Sequence, residues 1–182
     1  PRTYFEKIRA VLKKYDVLLV ADEVICGFGR MGTPFASQAF GVTPDIMTMA
    51  KALTHAAQPM GAVAVSDKVY DSIMDSSAEG AIEFFHGYTY SGHPLACAAA
   101  LANLKIVTEE DLPQNAGLVG SYFLQRLASL SEFETVGDVR GIGLMLAVEF
   151  VKNKSKFSTC STTSILSITS NFSWRLKFSG EQ

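Results

Sequence analysis

A chain of 182 residues with 48% hydrophobic and 19% charged side chains holds enough apolar material for a packed core, which excludes collagen, disordered tails and disulfide-knotted peptides. A formal net charge of −2 leaves no basic footprint for nucleic acid or an anionic membrane surface. No apolar run approaches a bilayer-spanning length, and Cys26, Cys97 and Cys160 form no CxxC pair, which fits a reducing compartment, cytoplasm or mitochondrion.

Tyr4, Phe5, Ile8, Val11 and Leu12 recur at helical spacing and predict a helix over 2–14. Val17 to Ala21 is a short, wholly apolar run ending at Asp22-Glu23, as expected of a strand buried on both faces of a parallel sheet. Residues 26–34 hold three glycines and Pro34 and are read as loop. A mostly apolar stretch, 45–50, precedes Lys51, and Ala62–Val65 is a further strand candidate. The Ala-rich segment 94–107 predicts a helix with Pro94 in its first turn, and 114–130 predicts a second, amphipathic one. Val136–Val151 reads as two strands around Arg140-Gly141-Ile142-Gly143. Helices alternating with buried strands give an α/β fold with a mostly parallel sheet.

Charge divides the chain. Residues 1–152 carry 12 basic and 17 acidic side chains, whereas 153–182 carry four basic and one acidic, with 12 Ser or Thr among 30 residues. A Ser/Thr-rich stretch offsets little of its ordering entropy. Residues 153–182 are therefore expected to be disordered and foreign to the domain, as from a read-through or shifted reading frame.

Gly27-Phe28-Gly29-Arg30-Met31-Gly32 matches G-x-G-x-x-G, but five residues, two of them acids, separate it from the strand end, and Thr33-Pro34 follows where a helix should open. Without strand-turn-helix context the match does not indicate a dinucleotide site; the glycines are expected to let the loop pass close to something bulky. His86 and His93 flank Thr89 but lack a third ligand at metal spacing, so no metal is expected. Cys26 and Cys97 are read as small packed residues, and Arg140 as pinning a turn by ion pairing.

In open α/β sheets ligands lie beyond the carboxyl ends of the strands. Asp22 stands at such an end, and Lys51 is the only lysine or arginine between Arg30 and Lys68. Taken singly, Asp22 also suits a helix cap or ion pair, and Lys51 a surface lysine. Together they offer an acid for a pyridinium nitrogen and an amine for an aldehyde, which is what pyridoxal phosphate requires of a protein.

Three ordered blocks carry a resemblance: Asp22 to Gly32, Pro44-Asp45-Ile46 leading to Ala50-Lys51-Ala52-Leu53, and His86 to Ala96. They resemble the class III (omega) pyridoxal-phosphate aminotransferases over residues 1 to about 152. Gln58–Val65 and Ala81-Ile82-Glu83-Phe84-Phe85 look most like the beta-alanine–pyruvate (omega-amino acid–pyruvate) branch. The resemblance implies part of a type I PLP-transferase fold: residues 1–112 as the C-terminal part of the PLP-binding large domain, and 113–152 as the start of a small C-terminal domain. It implies that Lys51 forms the Schiff base with pyridoxal 5'-phosphate and moves the proton, that Asp22 holds the ring nitrogen protonated, that Val24 packs on one ring face, and that Thr89 binds the cofactor phosphate across a subunit boundary in a homodimer. The implied reaction is transamination from an omega-amino acid or amine to pyruvate or a similar 2-oxo acid.

Family members are much longer, with an upstream half that supplies the phosphate cup and a ring-stacking aromatic, and a downstream arginine that grips the substrate carboxylate. Arg175 sits in no matching motif. The chain is accordingly expected to be a fragment, and the alternative to an enzyme is a non-catalytic remnant of one.

Overall fold

The computed structural model describes residues 3–80 and 86–154, and the backbone of 165–169. Ala81-Ile82-Glu83-Phe84-Phe85 lies outside the described residues, as do Cys160, Trp174 and Arg175. The chain forms two compact units, 1–117 and 118–182.

In the first unit, α1 spans Tyr4–Tyr15 and ends where Asp16 turns left-handed, its N–H donating to the Leu12 carbonyl. Phe5 on its apolar face lies against Phe40, with ring centroids 5.0 Å apart. Strand β1 (Val20–Asp22) pairs in parallel with β2 (Ile46–Met49), and β3 (Ala62–Val65) runs antiparallel to β2, giving the order β1-β2-β3. Asp45 sets the start of the parallel pair, its Oδ2 accepting from the Leu19 N–H at 2.8 Å. The crossover from β1 to β2 carries the short helix α2 (Ala36–Ala39), and α3 (Asp67–Asp75) follows β3. Neither helix is among the elements expected from the sequence. Four residues are too few to show a helical period, although Ser66-Asp67 is a helix-start signal. The Ala-rich helix is α4 (Pro94–Glu109), with Pro at its start.

The expectation of a strand buried on both faces is corrected for Val17–Ala21. Val17, Leu18 and Val20 are all exposed: the strand β1 begins only at Val20, and among the described residues β2 is its one partner.

The glycines of residues 27–32 find their close neighbour in the first turns of helix α5 (Leu112–Ala128). A Cβ on Gly29 would sit 3.1 Å from Pro113, and one on Gly32 3.2 Å from the Gly117 Cα. Gly32 also has φ +88°, which side chains rarely adopt. Gly32→Ala is expected to lower stability by about 2 kcal/mol, read as a shift in the urea unfolding midpoint at unchanged slope.

In the second unit α5 ends in a 3₁₀ turn (Ser129–Glu132), followed by β4 (Val136–Ile142) and β5 (Met145–Phe150) paired antiparallel. Val136, Leu146 and Val148 are its buried apolar residues. Helix and hairpin meet backbone to backbone: a Cβ on Gly120 would overlap the Gly143 carbonyl. Arg140 Nη1 donates to Asp138 and Glu149, both at 2.7 Å. It thus ties β4 to β5 across the ladder, and these hydrogen bonds push its pKa up. All three side chains are partly exposed, so the pair of bridges adds little stability.

The expectation of disorder from residue 153 is corrected over part of the tail: β6 (Ile165–Thr169) adds antiparallel to β5. Three of its five residues are β-branched (Ile165, Ile168, Thr169), which suits a pleated strand despite the polar surroundings. The remainder of that call, 155–164 and 170–182, falls outside the described residues.

Candidate active site at the strand ends

The parallel register sets Val20 opposite Ile46 and Asp22 opposite Thr48, so β1 and β2 finish side by side. Beyond the strand the Glu23 N–H still donates to the Thr48 carbonyl at 2.9 Å. Successive side chains of an extended chain point to opposite faces, and the two acids separate accordingly. Asp22 is exposed. Its Oδ1 accepts from the Val24 N–H at 3.0 Å and the Thr48 hydroxyl at 3.3 Å, and no described residue donates to Oδ2. Glu23 is 2% exposed; its carboxylate accepts from the Ala36 N–H at 3.0 Å and the Ser37 N–H at 2.7 Å, capping α2 from a distance.

Lys51 opens a 3₁₀ turn, Lys51–Leu53, directly after β2. Its backbone is left-handed, φ 44°, a conformation that costs a residue with a side chain about 1–2 kcal/mol. The turn is closed by the Leu53 N–H to the Ala50 carbonyl and the Thr54 N–H to the Lys51 carbonyl. Thr54 is buried and donates its hydroxyl to the Gln58 carbonyl at 2.7 Å. The Lys51 side chain is exposed, and no described residue forms an ion pair or hydrogen bond with its amine. Ala52 and Leu53, next in sequence, are buried. Asn103 of α4 reaches across to them, its Nδ2 donating to the Ala52 and Leu53 carbonyls at 2.7 and 3.1 Å.

Of the four residues singled out in the sequence, Asp22 and Lys51 thus stand at adjacent strand ends, with Val24, half-buried, two residues past Asp22. Thr89 is exposed, in the loop that leads into α4, and no hydrogen bond joins it to Asp22 or Lys51. That loop is fastened by the Tyr88 N–H to Ser91 Oγ at 2.8 Å and the Ser91 N–H to the Tyr88 carbonyl at 2.9 Å. His86 and His93 lie in the same loop, against the rings of Tyr88 and Tyr90 respectively.

Charge around the turn following Asp22 is set by a few groups. Burial, with Glu23 adding to it, pushes the Cys26 thiol up, against a smaller opposing pull from Arg30. The thiol is therefore a poor thiolate source, as a packed cysteine should be. Burial and then Arg30 push His55 down, which favours a neutral imidazole.

The site features missed in the sequence are Glu23 and Asn103. The Asp-Glu pair at a strand end was a signal for the first, since alternation turns one of two neighbouring acids inward. For the second, the signal was a lone Asn within an Ala- and Leu-rich helix, where asparagine is a weak helix former.

A family model described as Aminotransferase class-III matches residues 1–170. The chain is 53% identical over 149 residues to an omega-aminotransferase of Caulobacter vibrioides, covering 82% of this chain and 34% of that protein. It is 48% identical over 155 residues to the mitochondrial gamma aminobutyrate transaminase 1 of Solanum lycopersicum, covering 85% of this chain and 30% of that protein. Among solved structures, the (S)-enantioselective omega-transaminase of Thermomicrobium roseum superposes with a TM-score of 0.78 at 50% identity, over 85% of this chain and 34% of that one. The chain spans about a third of the length of the curated relatives it matches.

Proposed function

This chain belongs to the class III aminotransferases, and from that premise we propose that the protein moves an amino group from an omega-amino acid or amine, of the beta-alanine kind, to pyruvate or a similar 2-oxo acid. The observation that carries the reading is the neighbouring of Asp22, a carboxylate with one open oxygen, and Lys51, an unpaired primary amine, at the ends of adjacent parallel strands. Relatives named for omega-amino donors support the substrate class.

The donor set fits pyridoxal phosphate. Asp22 Oδ2 would hold the proton on the ring nitrogen while Oδ1 stays tied to Val24 and Thr48, which fixes the carboxylate plane. Lys51 Nζ would hold the aldehyde carbon. When bound, the cofactor supplies an electron sink for the carbon that loses its proton. Lys51 Nζ would also serve as the base for that proton. Val24 would offer an apolar, β-branched wall to one ring face. Thr89 would bind the phosphate through its hydroxyl and backbone N–H; its exposure in the single chain supports service to a second copy in a homodimer. Residues 1–112 then form the C-terminal part of the cofactor-binding large domain, and 113–152 begin the small one. Cys26 and Cys97 are free thiols, and no helix of the described residues is long and apolar enough to cross a membrane; both fit a cytoplasmic or mitochondrial setting.

Borohydride reduction of the full-length protein after addition of pyridoxal phosphate tests the reading. Peptide mapping is expected to find the pyridoxyl label on Lys51. A label on another lysine, or none, rejects the assignment.

A further inference from the structure

We propose that Asn103 is a positioning residue for Lys51, a role that rests on the functional reading above and extends it to a second element of the fold. A three-residue 3₁₀ turn leaves its last carbonyls without backbone partners. Here those of Ala52 and Leu53 are taken by both protons of one primary amide, Asn103 Nδ2, which comes from 50 residues further along the chain. The turn so held begins at a left-handed lysine, and such a conformation persists only where its surroundings determine it. Ala52, Leu53 and Thr54 are buried, so the turn cannot exchange these two bonds for water without opening.

The same helix has a second attachment. α4 starts at Pro94, at the end of the loop that holds Thr89, and Asn103 lies nine residues into it, about 13 Å along a helix axis. One rigid rod therefore carries the Thr89 loop at its start and the clamp on the Lys51 turn farther along. In the proposed homodimer the rod thereby ties a loop that serves the partner's site to the turn that bears this chain's own Lys51. Aspartate at position 103 keeps the shape but has no proton to donate, whereas glutamine keeps both donors on a longer arm.

Hydrogen–deuterium exchange on the cofactor-free, full-length protein reads the clamp directly. Asn103→Ala and Asn103→Asp are expected to speed exchange of the Leu53 and Thr54 amides at least about tenfold, with peptides of β2 and β3 unchanged. Asn103→Gln is expected to recover most of the protection. With cofactor bound, the first two variants are expected to shift the pH midpoint of its visible absorption and to lower kcat about tenfold, with KM for the acceptor little altered. Unchanged exchange at Leu53 and Thr54 would overturn the proposal. So would loss of protection throughout β2 and β3, which marks general packing, or an unmoved pH midpoint. If the clamp variants lose protection as expected but the wild-type Lys51 takes no cofactor under borohydride, the functional reading fails and the clamp stands.

Discussion

Replacing Lys51 with alanine in the full-length protein is expected to lower amino-group transfer by at least about 10³-fold while leaving folding stability within about 0.5 kcal/mol. Both halves follow from the same geometry. The Lys51 side chain is exposed and engages no described residue, so nothing that supports the fold leaves with it. Alanine at φ 44° bears the same backbone strain as lysine, because both carry a Cβ. The chemistry has no such substitute. General acid–base participation alone contributes about 10²–10⁴-fold, and no other lysine or arginine occurs between Arg30 and Lys68. Steady-state rates and a urea titration on the one variant separate the two effects. Residual activity above a few per cent would assign the amine elsewhere.

Glu23→Ala is expected to act in the opposite way, costing about 3 kcal/mol of stability. The carboxylate is buried and its two oxygens hold the N–H groups of Ala36 and Ser37. Truncation leaves both donors without a partner in a place that water reaches poorly, at about 1–3 kcal/mol for each such group, and opens a void besides. Glu23→Gln keeps the volume and one acceptor oxygen, so about half the loss is expected. Because Glu23 follows Asp22 directly, the alanine variant should also loosen the turn that presents Asp22 and Val24, lowering cofactor retention. The check is guanidinium unfolding of both variants. A loss below about 1 kcal/mol for alanine would show that α2 finds other caps.

Much of the site was legible because it is written in local pattern. An apolar run stopping at an acid, and another stopping at a lysine, mark strand ends whatever the strands pack against, and β1 and β2 end as those runs imply. The helix at α4 was legible from alanine content and a leading proline. Burial was less legible, since it depends on what covers a segment rather than on the segment: Val17, Leu18 and Val20 read as core yet are exposed. That Glu23 turns inward to cap α2 could not be read from the pattern, because the pleat turns one residue in and the next out, and nothing local says which. Asn103 was hidden for a different reason. Its partners are backbone carbonyls 50 residues away, and carbonyls leave no mark on a sequence.

The unattached side chain of Lys51 on a pinned backbone sets a timescale. In the proposed reaction its amine would part from the cofactor and return, and on a clamped turn that travel would be confined to four side-chain torsions. Torsions of exposed side chains flip in picoseconds to nanoseconds, whereas loop rearrangements extend to microseconds. Enzymes turn over at about 1–10³ per second, so the lysine completes many excursions in the span of one catalytic event. On the proposed reading its movement would not set the pace. A chemical step or the departure of product would then set it.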